Sequence, residues 1–206
     1  MRKLRKINDD VRFLIFDLRI VTLIFLSFFI LSCQSDYTPK PRGFERIEFP
    51  KKAYKHYVSE CGYSCDIPVY SNVFPDEYPG ADKCWYNLVF EPFSATLHLS
   101  YKPIKNQEDL IKMTEDSRTL VYKHTIKADE IYETFISNQY LHGMLYELSG
   151  NTATNFQFYV TDSAHHYLRG ALYFNVKTNN DSVAPVLSFI KYDVIKMIES
   201  LRWNEQ

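Results

Sequence analysis

The chain has 206 residues, of which 46% are hydrophobic and 24% charged, an ordinary globular balance of a length that one core can serve. Of 24 basic and 25 acidic side chains, six and three precede residue 33, which leaves 18 against 22, a net of −4, for the remainder. That mildly acidic balance argues against nucleic-acid binding, which needs a basic face, and six glycines among 206 residues exclude a low-complexity or collagen-like chain.

The first segment carries Arg2, Lys3, Arg5, Lys6, Arg12 and Arg19, followed by an uncharged run of thirteen residues from Ile20 to Ser32. A membrane-crossing helix needs about 20 apolar residues, whereas the apolar part of an export signal needs only about 7–15 behind a basic start. The run ends in Ile30-Leu31-Ser32-Cys33, which resembles a lipobox, although Leu31 is bulky for its place. Residues 1–32 are therefore predicted to be a lipoprotein signal peptide, and Cys33 the acylated N-terminus of the mature chain. An uncleaved anchor helix, or a core helix with a chance cysteine, is the alternative. Acyl chains on Cys33 anchor firmly, since one chain is marginal and two suffice. Residues 33–42 have no periodicity and contain Pro39 and Pro41. They read as a tether that reaches ~30 Å at most at about 3.3 Å per residue. A single globular envelope domain is predicted over 43–206.

Cys61, Cys65 and Cys84 follow. An exported chain can form disulfides, and three thiols allow one bond and leave one free. Cys61–Cys84 is the favoured pair and Cys65–Cys84 the next, with three reduced thiols also open. The spacing matches no zinc or thioredoxin motif.

Residues 43–84, rich in Pro, Tyr and Gly, read as irregular structure with short extended pieces. Beyond them, Trp85–Phe90 is a short apolar run, and Ala95 to Tyr101 alternates strictly. Ala95, Leu97, Leu99 and Tyr101 share one face, and Thr96, His98 and Ser100 the other, which predicts a half-buried strand. Pro92 separates the two runs into a hairpin. Asn106 to about Lys127 reads as a helix, with Asn106 as its cap and Glu108 and Asp109 in the first turn. Its stripe is Leu110, Met113, Ser117, Leu120, Val121 and His124. Four strands follow at Ile131–Ile136, Tyr140–Leu148, Thr154–Val160 and Tyr167–Val176, joined by turns short enough to force antiparallel neighbours. A last helix runs from Ser182 to Leu201 with Pro185 in its first turn. The predicted fold is α+β: an antiparallel sheet of about six strands in the order β-β-α-β-β-β-β-α, with two helices packed on one face. In outline this is similar to PsbP-like domains.

No G-x-G-x-x-G, P-loop, H-E-x-x-H, G-x-S-x-G or paired C-x-x-C occurs in the chain. His56, His98, His124, His142, His165 and His166 are scattered, and nothing in their spacing brings them together. No metal, cofactor or catalytic residue is predicted. The densest polar set is Glu115, Asp116, Ser117 and Arg118 with Tyr122, Lys123 and His124. It reads first as a salt-bridged helix face and second as a buried network or partner-docking surface built from Asp116, Ser117, Arg118 and His124. Arg169, in an otherwise apolar strand, needs a partner, for which Asp116 is the candidate. Tyr37, Tyr54, Tyr57 and Tyr63 are candidates for an exposed contact patch.

Several stretches resemble the gliding-motility lipoprotein GldD family of gliding Bacteroidetes. They are Ser32-Cys33 with Asp36-Tyr-Thr-Pro-Lys-Pro-Arg-Gly43, Cys84-Trp85-Tyr-Asn87, Ala95 to Tyr101, Glu115 to Thr125, Phe158 to Ser163, Leu168 to Asn175, and Ala184-Pro185. The resemblance runs in one order from the lipid site to Trp203. It implies a cysteine at the position of Cys61 and an aromatic where Cys65 stands, which supports Cys61–Cys84. It implies a role in gliding beside other motility lipoproteins and type IX secretion components, with no established catalytic residues; Gln34, directly after Cys33, gives no inner-membrane retention signal of the proteobacterial kind, which favours the outer membrane. The alternative is an envelope hydrolase or ligand-binding domain for glycan or lipid, which would gather two or more of His98, His124, His142 and Asp116 in a deep pocket.

Overall fold

The computed structural model describes residues 47–175 and 180–204. The leader, Cys33 and the tether up to residue 42 lie outside them, as do Tyr37 and Val176. Among the described residues no helix is long and apolar enough to cross a membrane.

The elements run β1 (Tyr54–Val58), β2 (Tyr63–Pro68), β3 (Asn72–Pro75), β4 (Trp85–Phe90), β5 (Ala95–Pro103), α1 (Gln107–Tyr122), β6 (Ala128–Ser137), β7 (His142–Gly150), β8 (Thr154–Thr161), β9 (His166–Phe174), α2 (Asn180–Ser200) and β10 (Arg202–Trp203). The class is mixed α+β with antiparallel sheets and two helices. Seven strands form one sheet in the order β3-β4-β5-β9-β8-β7-β6, and β1-β2-β10 form a second. Every pairing is antiparallel.

Three details differ from the sequence reading. The stretch read as irregular contains β1, β2 and β3. Among the described residues there are ten strands rather than six: β1, β2 and β3 are added before Trp85, and β10 at the far end of the chain pairs with β2. The helices lie on opposite faces of the large sheet, not on one. Leu97, Leu99, Phe156, Phe158, Val160, Leu168 and Leu172 face Val186, Ile190, Val194, Met197 and Leu201 of α2, with Tyr63, Cys65 and Ile67 of β2 beside them. The alternate residues Met144, Tyr146 and Leu148 of β7 cluster instead with Val121 of α1, Ile131 and Tyr159. The cause is visible in β8, where seven of eight residues are buried. A strand buried on both sides needs a covering layer on each.

Close packing explains one glycine. Gly170 is the cross-strand partner of Phe158. A Cβ there would stand 2.2 Å from the Phe158 ring, so only glycine lets the ring lie across β9.

The segment before β3 is held by a buried carboxylate. Asp193 of α2 is fully buried. It accepts from Lys52 Nζ at 2.6 Å, from the Tyr54 hydroxyl at 2.7 Å and from the Tyr70 hydroxyl. Lys52 Nζ also sits 3.2 Å from the centroid of Phe189, which stacks on Phe49 at 4.5 Å. Burial and the hydrogen bond to Asp193 hold the pKa values of Tyr54 and Tyr70 well above the usual phenol value. A disulfide joins Cys61 to Cys84 across 23 residues, and Cys65 is a free, buried thiol whose pKa burial pushes up to about 12. Closing a loop of that size stabilises by about 3 kcal/mol.

Removing Asp193 leaves the Tyr54 and Tyr70 hydroxyls without their acceptor, while the partly exposed Lys52 ammonium keeps only the Phe189 carbonyl, so Asp193→Ala is expected to cost about 2–4 kcal/mol in urea unfolding. Glu199→Ala, which breaks an exposed 3.3 Å contact with Lys196, is expected to cost under about 0.5 kcal/mol. Equal costs for the two would contradict the account.

Candidate functional site

Helix α1 starts where Asn106 Oδ1 accepts the Asp109 N–H at 2.8 Å, with Glu108 and Asp109 in the positive first turn. Its inward side is narrow: only Ser117 and Val121 are buried. Leu120 is exposed, although the stripe includes it. A helix that buries so little is latched by hydrogen bonds. The Tyr167 hydroxyl of β9 donates to the Met113 carbonyl at 3.0 Å. Ser117 Oγ lies 2.7 Å from the same oxygen and, since the phenol proton is spent, donates to it. Burial raises the Tyr167 pKa, against the opposing pull of Ser117. Tyr159 stacks on Tyr167 at 5.4 Å.

Beside this latch, α1 and the sheet leave a cleft of about 320 Å³. The strand register builds its floor. Trp85 of β4 faces Ser100 of β5, which faces Arg169 of β9, and Lys102 faces Tyr167 one pleat along. Met113, Asp116, Ser117 and Leu120 of α1, with Lys123 at its C-cap, form the wall.

Arg169 is half-buried, and Nη2 donates to Gln157 Oε1 at 2.7 Å. This corrects the pairing expected with Asp116. Gln157 is on the neighbouring strand, whereas Asp116 is exposed on α1, and among the described residues no carboxylate lies within 4 Å of the guanidinium. Burial lowers the Arg169 pKa, partly offset by Tyr173 and Tyr167. Two buried N–H groups, Trp85 Nε1 on this floor and Gln157 Nε2 behind Arg169, have no acceptor among the described residues.

Of the residues expected to cooperate, the structure brings Asp116, Ser117 and Arg169 to one cleft. Arg118 is exposed, with Cζ 5.5 Å from the Tyr122 ring centroid, and does not line it. His124 is half-buried past the end of α1, where burial first and the Arg169 charge second lower its pKa. Trp85, Ser100, Lys102 and Tyr167 were missed. The alternation of β5 already put Ser100 on the face opposite its core residues, and Lys102 continues that face.

The histidines do not gather. His98 meets the edge of Tyr173, His142 pairs with Ser137, and His56 lies 3.0 Å from Asp66. His166 bonds the Tyr101 hydroxyl at 2.8 Å and stacks on Trp203. Among the described residues no three His, Cys, Asp or Glu side chains group as metal ligands. Of His98, His124, His142 and Asp116, only Asp116 lines the cleft. The tyrosine patch is also corrected: Tyr63 is fully buried, and Tyr54 and Tyr57 are half-buried.

Fold and site together define an antiparallel α+β domain with a cationic, aromatic-floored cleft between helix and sheet. The chain belongs to the gliding motility lipoprotein GldD family, whose sequence model matches residues 34–203. It is therefore a motility-associated lipoprotein with lipid-anchored association with the envelope. No curated protein matches it. Among solved structures, it is similar to cyanobacterial PsbP (CyanoP) from Synechocystis sp. PCC 6803, at 12% identity and a TM-score of 0.44, over 77% of this chain and 97% of that one.

The position of His124 near Arg169 is open to titration. Both burial and the guanidinium disfavour the imidazolium, so the folded pKa lies below the unfolded value of about 6.5. As pH falls through about 6.5 the unfolded chain takes up this proton first, and stability falls with it. In Arg169→Met the His124 midpoint, followed by its ring proton resonance, is expected to move up. An unchanged midpoint would separate the two residues.

Proposed function

We propose that this protein is a non-enzymatic assembly or stability factor of the gliding machinery coupled to type IX secretion, held at the outer membrane by fatty acyl groups on Cys33. In this reading residues 1–32 are removed, residues 33–42 tether the chain, and residues 43–206 form one domain that binds other motility lipoproteins and secretion components of a gliding Bacteroidetes cell. The observation that carries it is the family match, which begins at residue 34, directly after Leu31-Ser32-Cys33. Cleavage before Cys33 would leave the matched region as the mature protein. A tether of ten residues keeps the domain within ~30 Å of its bilayer, so partners are sought among envelope proteins. The net charge of −4 beyond the leader supports protein rather than nucleic-acid partners.

The test combines fractionation with capture. The wild-type chain is expected in the membrane fraction carrying a palmitate label, and Cys33→Ala unlabelled and released from membranes. Pull-down of the tagged wild-type chain from crosslinked envelopes is expected to recover motility lipoproteins or type IX secretion components. Recovery of neither would overturn the proposal.

A further inference from the structure

We propose that the cleft between α1 and the sheet receives a carboxylate side chain from an acidic segment of a partner polypeptide, seated on Arg169. This deepens the reading of the chain as a protein-binding factor and rests on it.

Three observations converge on the cleft. The first is a surplus of donors. A guanidinium offers five N–H groups, and among the described residues the only side-chain acceptor bonded to Arg169 is the neutral Gln157 amide. The Trp85 indole N–H, also buried, has no acceptor among the described residues. Both belong to residues lining the same space. The second is charge. Arg169, Lys102 and Lys123 face a single carboxylate, Asp116. Because Arg169 is half-buried, an anion reaching it interacts in a medium poorer in water than the surface, where its attraction is stronger. The third is shape. About 320 Å³ walled by Trp85, Met113 and Leu120 holds one or two side chains, an acid with an apolar neighbour. It is too small for a folded element.

The guanidinium fork fits carboxylate and phosphate alike. The surroundings discriminate between them. Asp116 lines the cleft, and Glu108 and Glu115 are exposed on the same helix. Beside Asp116, a singly charged carboxylate meets less like-charge repulsion than a phosphate dianion does, and a recess of this size admits a side chain more readily than a bilayer surface. The geometry therefore favours an acidic peptide over free phosphate or a lipid headgroup.

The experiment uses the full lipidated chain in neutral detergent, with the Trp85 indole N–H resonance assigned through Trp85→Phe. The probe is the blocked peptide acetyl-Ala-Leu-Glu-Leu-Ala-amide, and its Gln analogue is the control. The Glu peptide is expected to shift the Trp85 resonance saturably, with a Kd of order 0.1–1 mM for so small a ligand. The Gln peptide is expected to bind at least tenfold more weakly. Arg169→Met is expected to abolish the shift. Since Arg169→Met can disturb the sheet, the exposed Asp116→Asn provides an independent arm: removing a like charge should tighten the Glu peptide about two- to fivefold.

Equal shifts from Glu and Gln peptides would overturn the proposal. So would tighter binding of inorganic phosphate, or a Trp85 shift produced by phosphatidylglycerol vesicles and not by peptide. If Arg169→Met still captures motility components from envelopes as well as wild type, the cleft proposal fails while the protein-contact reading stands.

Discussion

The seven-stranded sheet has to be covered on both faces, and the remainder of the fold follows from that requirement. Its middle strands, β8 and β9, place large apolar side chains on one side and Tyr159, Tyr167, Arg169 and Gln157 on the other. Helix α2 and the small sheet close the apolar side. That layer is secured by Asp193, the Cys61–Cys84 bond and the clustered rings of Phe49, Tyr70, Phe93 and Phe189, of which Phe93 meets Tyr70 and Phe189 edge-on. The first strands and the last helix are far apart in sequence, so a buried carboxylate with three donors fixes a junction that local propensity cannot.

The other side is covered differently. Helix α1 buries only Ser117 and Val121 among its sixteen residues, and its position depends on the hydrogen bonds of Tyr167 to Met113 and Ser117. Where the helix falls short of β4 and β5, the cleft remains. A guanidinium left there is costly to desolvate, and a neutral amide is a modest partner for it. The same arrangement makes Arg169 available to an incoming anion, whereas Arg118, next to Ser117 of the latch but facing solvent, is not held in any comparable setting. The chemistry of the cleft therefore comes from strand register rather than from the dense polar run on α1.

Much of this was legible in the sequence. Strict alternation in Ala95–Tyr101 and the cap at Asn106 gave the strand and the helix start that the structure shows. The β1–β2 hairpin was obscured by Tyr, Pro and Gly, and by the absence of a local signal for pairing between β2 and β10. A helical stripe tells that one side is buried without saying against which face of a sheet, so the opposite placement of the two helices could not be read. Asp116, Ser117 and Arg169 stood out as charges and hydroxyls in apolar or helical surroundings. Trp85 and Tyr167 did not, because an aromatic in a strand is ordinary core material until its neighbours are known. Nor could spacing choose Gln157 over Asp116 for Arg169, since that depends on the order β9-β8 in the sheet.

Arg169 is the proposed working group of an envelope-anchored domain, and Arg118 on α1 is a solvent-facing residue. The direct measurement is colony spreading and single-cell gliding on glass by cells lacking the native gene and supplied with Arg169→Met or Arg118→Met, with chain abundance and membrane fractionation followed in parallel. Arg118→Met cells should glide as the wild type does, and Arg169→Met cells should lose most gliding at unchanged abundance and anchoring. Full gliding with Arg169→Met would contradict the central claim.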